Sequence, residues 1–76
     1  MIYFVYTNFQ QHDGAIGHTS ADFTNINDAR MEYHAKLASQ YEPTNRKNNK
    51  WATVQLVEHT GYVVLTETAT FEQKAD

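Results

Sequence analysis

The sequence predicts an α+β fold, a ββαββ two-layer sandwich in which one helix packs on one face of an antiparallel four-stranded sheet. Three observations carry that expectation. Runs rich in β-branched and aromatic residues stand at both ends of the chain, one central segment repeats its apolar residues every three or four positions, and glycine-containing turn segments separate the strand-like runs. Seventy-six residues give room for one domain, expected over 1–76 with 72–76 as a frayed tail.

The first strand is expected over residues 2–9, Ile-Tyr-Phe-Val-Tyr-Thr-Asn-Phe, whose apolar side chains occupy odd and even positions alike. That pattern suits a central strand covered on both faces. Asp13-Gly14 tolerates positive φ and marks a hairpin, leading to a weaker second strand over 15–23 in which Gly17 and small residues leave little to pack. From Thr24 to Tyr41 the period changes: Ile26, Ala29, Tyr33, Leu37 and Tyr41 fall on one helical face. Asn25 suits the N-cap, Asp28 then sits near the positive end of the helix dipole, and Pro43 ends the helix. The polar stretch 42–50 is expected as an exposed loop. Strands over 51–58 and 62–71 follow, joined through Glu58-His59-Thr60-Gly61 with glycine at the position needing a left-handed residue.

Composition excludes several classes. The chain has no cysteine, which rules out a disulfide framework and a thiolate zinc site. With 41% hydrophobic and 20% charged residues it should fold rather than remain disordered. A net charge of −3 supplies no positive field to draw nucleic acid or an anionic membrane, and acidic residues never form the run that a DNA mimic would use. The apolar opening stops at Thr7-Asn8, too short for a signal core or a membrane span, so the expectation is a cytoplasmic protein without membrane contact.

No catalytic constellation is legible. The four histidines, at 12, 18, 34 and 59, lack metal-ligand spacing, although His12, Asp13, His18 and Asp22 gather around the first hairpin. Ser20 and Ser39 have no neighbouring base in sequence, and Gly14-Ala15-Ile16-Gly17 lacks the lysine and following helix of a phosphate loop. The expectation is a binding protein, not an enzyme, with no cofactor. Its strongest polar feature is Asn45-Arg46-Lys47-Asn48-Asn49-Lys50-Trp51. Arg46, Lys47 and Lys50 could pair with phosphates while Trp51 stacks on a base, or the segment is a solvated connection whose Trp51 simply begins a strand.

One helix can cover one face of such a sheet, which leaves the other open. Strand alternation puts Ala52, Val54 and Leu56, with Val63, Leu65, Glu67, Ala69 and Phe71, under the helix. Trp51, Val57, Tyr62 and Val64 then fall on the open face beside apolar residues of the first strand. That is more apolar surface than a monomer leaves wet, unless these residues serve only as good strand formers. Met31, Ala35 and Ala38 form a second helix side that could seat a neighbour, or be helix formers only. A homodimer through the sheet face or this helix side is the structural expectation.

The helix text Ala29-Arg-Met-Glu-Tyr-His34-Ala-Lys-Leu-Ala-Ser39, the strand Trp51-Ala-Thr-Val-Gln-Leu-Val and the following Gly61-x-Val63 with Glu67 resemble small accessory proteins of phages and prophages of Gram-positive bacteria. The resemblance covers most of the chain and implies a ββαββ fold and an accessory role, for which anti-CRISPR inhibitors of host immunity are one precedent. It carries no site residue. The leading expectation is a non-enzymatic module that occludes a host defence protein through Trp51, Tyr62 and Val64, with Arg46, Lys47 and Lys50 at the rim. A nucleotide-sequestering dimer and a minor virion structural protein are the alternatives.

Overall fold

The computed structural model describes residues 1–72. Its element order is β1 (Tyr3–Gln11), β2 (Ile16–Phe23), α1 (Ile26–Gln40), α2 (Pro43–Asn48), β3 (Asn49–Glu58) and β4 (Val63–Thr70). The strands form one antiparallel sheet in the order β2-β1-β3-β4, with α1 laid across one face. This is the expected ββαββ order with one addition. Residues 42–50 are not an open loop: Pro43, whose fixed φ suits the first helical turn, starts the six-residue α2 after Glu42. The sheet ends at Thr70 and Glu72 is exposed; of the expected tail 72–76, residues 73–76 lie outside the described residues.

Both hairpins use the same turn. Gly14 N–H donates to the Gln11 carbonyl at 3.0 Å and Gly61 N–H to that of Glu58 at 2.8 Å, while Gln11 and Glu58 donate back to Ala15 and Tyr62. The glycines take φ of 93° and 94°, where a β-carbon would be strained. In the first turn the Asp13 carboxylate accepts the Ala15 N–H at 2.9 Å, which fixes the loop further.

Asn25 caps α1 as its residue type predicts, its side chain accepting the Asn27 N–H at 2.7 Å. The helix buries Ala29 and Tyr33 against Val5, Val54 and Leu56, with Tyr3, Phe23, Leu37, Val64 and Leu65 packed around them. Tyr41 leaves the expected helical stripe. It is the C-cap, about half exposed, and meets Phe71 edge-on with ring centroids 5.8 Å apart. Toward this end of α1 the interlayer turns polar. Thr7, Gln40 and Asn49 are buried there, and a groove of about 220 Å³ lies between Lys36, Gln40 and the sheet.

The apolar core is therefore short, and the shape reflects it. A radius of gyration of 13.2 Å exceeds the roughly 11 Å expected of a compact chain of this length. β1 is central, but among the described residues it is covered by a helix on one face only, which corrects the two-sided reading of its sequence. Its second set of apolar residues, Phe4 and Tyr6, is half-buried by sheet neighbours rather than by a layer.

Gly17 has a packing reason that composition hides: it faces Phe9 across the β1–β2 ladder, and a β-carbon at 17 would overlap the Phe9 ring. The ring lies over the glycine and supplies the cover that the second strand lacks. Gly17→Val should displace the ring and lower stability by about 1–3 kcal/mol in urea unfolding. Combining it with Phe9→Ala should cost less than the sum of the two, and strict additivity would contradict the contact.

Burial, and secondarily the Glu67 carboxylate, raises the Tyr33 phenol above its ordinary pKa of 10.0. The folded chain thus holds this proton more tightly than the unfolded one. Its contribution is fully present below about pH 10 and is lost as pH rises from there through the higher folded value. Tyr33→Phe should make the alkaline fall in Tm shallower, as followed by circular dichroism.

Candidate functional site

The face away from α1 is built in cross-strand rows. Register places Asp22, Phe4 and Val57 in one row; Ser20, Tyr6, Gln55 and Thr66 in the next; then His18, Asn8, Thr53 and Thr68; and last Ile16, Gln10, Trp51 and Thr70. Only Asp22 among them carries a formal charge with histidine neutral. Phe4 stacks on Tyr6 with centroids 5.8 Å apart and planes 12° from parallel, and Tyr6 stacks on His18 at 5.8 Å and 30°. Polar neighbours tie the rest together. His18 Nδ1 shares a 2.6 Å hydrogen bond with Asn8 Oδ1, Thr53 and Thr68 hydroxyls meet at 2.8 Å, and the Trp51 indole N–H donates to Gln10 Oε1 at 3.1 Å. These contacts fix the aromatic side chains against one another and against their polar neighbours.

Of the expected face residues, Trp51 and Val57 belong to this surface. Tyr62 lies in the β3–β4 turn and is 65% exposed. Val64 falls at a register shift between Leu56↔Leu65 and Val57↔Val63, and it packs against the core cluster. A bulge inserts one residue and breaks strict alternation, which a period-two reading cannot foresee. Phe4, Tyr6 and His18 are the face residues that alternation left unnamed. The signal was their parity: the buried residues Val5 and Thr7 on β1 fix the opposite parity as outward.

Arg46 and Lys47 stand elsewhere. With Pro43 and Asn48 of α2 they form one wall of a cleft of about 780 Å³. Gln11, His12 and Asp13 at the end of β1 make the second wall, and Thr70, Phe71 and Glu72 the third. The His12 N–H donates to the Asn48 carbonyl at 3.0 Å, joining the turn to α2, and Phe71 N–H donates to Lys50 O at 2.9 Å. The buried His12 Nε2 has no hydrogen-bond partner among the described residues. Lys50 is exposed beside the register shift at Gln10/Gln11 and is not a cleft wall.

The histidines and aspartates of the first hairpin do not converge. His18 belongs to the open face and His12 to the cleft. No cluster of three or more His, Cys, Asp or Glu among the described residues could hold a metal ion. No helix among them is long and apolar enough to cross a membrane. Compared with known proteins, the chain matches no family model, no curated protein and no solved structure.

Proposed function

We propose that this chain is a non-enzymatic binding module that occludes a protein partner through the open sheet face. The observation that carries the reading is the Phe4–Tyr6–His18 stack beside the hydrogen-bonded Trp51, on a surface whose cross-strand rows contain one formal charge. Fixed aromatic anchors in a weakly charged surround suit protein contact. Single-stranded nucleic acid fits less well, because it asks for cations flanking the stacking rings, and here Arg46 and Lys47 line the separate cleft. The resemblance to phage accessory proteins supports a partner among host bacterial defence proteins, such as a CRISPR nuclease, met in the host cytoplasm.

The test is phage plating on a bacterial host with an active CRISPR nuclease. Expression of the chain should raise plating efficiency, and the Tyr6→Ala/Trp51→Ala double variant should lose the effect while keeping its helical and sheet circular dichroism. Each anchor at the centre of such an interface is worth about 2 kcal/mol or more. Met31→Glu, on the exposed side of α1, should remain active. Equal protection by the double variant would remove the face from the reading, and no protection on any defended host would remove the inhibitor.

A further inference from the structure

We propose that the free edge of β2 pairs with β2 of a second copy of this chain, antiparallel about a two-fold axis at Ser20, so that the two four-stranded sheets become one. This does not rest on the sheet-face reading. The sheet order leaves β2 and β4 at the edges, and the two edges differ. β4 carries features that keep an edge from pairing: a register shift at Leu56/Val57, and the charged Glu67 in the row of the buried Val54. β2 has neither. It runs from Ile16 to Phe23 without proline or lysine, and its pairing with β1 is unbroken from Gln10↔Ile16 to Tyr3↔Phe23.

The ladder determines which β2 groups are free. Gln11 N–H donates to the Ala15 carbonyl at 2.7 Å, which directs the odd residues of β1 toward β2. On the other side Ile2 O accepts the His59 N–H at 2.9 Å, which directs the even residues toward β3. The odd residues Gly17, Thr19 and Ala21 of β2 are therefore engaged with β1. Ile16, His18, Ser20 and Asp22 turn their N–H and C=O groups outward, where no described strand receives them. A second strand of the same spacing satisfies them.

Charge selects the register. Opposed residues of an antiparallel pair share a face. With Ser20 meeting Ser20 of the second copy on the axis, His18 stands opposite Asp22 of the second copy, twice by symmetry. In its imidazolium form His18 donates through Nδ1–H to Asn8 Oδ1, 2.6 Å away, and keeps Nε2–H for a carboxylate. Shifting the pairing by two residues sets Asp22 against Ile16 in one direction and against Ser20 in the other, and the complementary pair is lost. The helices leave room for this assembly. α1 lies over Val5 of β1 and over Val54 and Leu56 of β3, two strand spacings from the axis. Strands about 4.8 Å apart then hold the two helices roughly 19 Å apart, well beyond the packing distance of about 8–10 Å.

A ribbon of eight residues is smaller than a permanent interface, so the dimer should be reversible. Light scattering after size exclusion should show the mass rising from one chain to two between about 10 μM and 1 mM. Ser20→Lys, which opposes two like charges on the axis, should stay at the mass of one chain with unchanged circular dichroism. Ser20→Pro should do the same, because the Ser20 N–H takes no part in the β1–β2 ladder. His18→Glu should weaken association roughly tenfold through its two repulsive pairs, and adding Asp22→Lys should restore it. Trp51→Ala should dimerise as the parent does, which separates this outcome from the fate of the sheet-face reading. A single-chain mass up to about 1 mM would overturn the proposal and leave the edge to a strand of another protein. A dimer that persists in Ser20→Lys would overturn it too, and indifference to the charge swap would overturn the register.

Discussion

The constraint on which everything else depends is that one fifteen-residue helix must stabilise a four-stranded sheet. A helix about 10 Å across shields roughly two strands, and here its apolar face meets Val5 on β1 with Val54 and Leu56 on β3. The outer strands are held mainly by their ladders and by local devices. β2 has Phe9 lying over Gly17, and β4 has the Val64 bulge turned into the core margin. The other face has no covering layer among the described residues. Its side chains stabilise one another by stacking and hydrogen bonding, and those contacts also make it a prepared surface.

The same economy explains why the interlayer is divided. The first half of α1 carries Ala29 and Tyr33, and the core cluster lies beneath them. The second half carries Ser39 and Gln40, and the sheet answers with Thr7 and Asn49. Gln40 donates to its own helix at Lys36 O, and Asn45 donates to Ser39 O at 2.7 Å, so polar side chains secure α2 where apolar ones would ordinarily do so. The α2 junction is thus oriented by specific hydrogen bonds, and the cleft behind it inherits a defined shape.

Much of the fold was legible because periodicity is a strong signal where an element has one buried face. The Ala29–Tyr33–Leu37 spacing, the Asn25 cap and the Ala52–Val54–Leu56 alternation each read correctly for that reason. What failed was local and short. Residues 43–48 contain three asparagines or threonines and two cations and look like a loop, yet proline at the first turn and tertiary bonds from Asn45 and His12 make them a helix. β1 read as covered on both faces because aromatic residues on an uncovered face look the same in sequence as residues under a second layer. The candidate surfaces were half legible. Trp51, Arg46 and Lys47 were visible as residue types, but only the register and the turn geometry separate Trp51 from the cations and bring His12 to them.

That separation decides how the two surfaces relate. Trp51 reports to the sheet face through Gln10, whereas the next residue along β1, Gln11, begins the wall of the cleft. The register shift between Gln10 and Gln11 lies at the boundary, where Gln10 pairs with Trp51 and Gln11 with Asn49. A bulge sharpens local twist and re-aims the side chains on either side of it. With Lys50 taken out of the ladder there, the end of β3 can feed from α2 into the sheet while Trp51 still reaches the open face. One irregularity in pairing therefore lies where a chain with a single main helix passes from an open aromatic face to a cleft lined by Arg46 and Lys47.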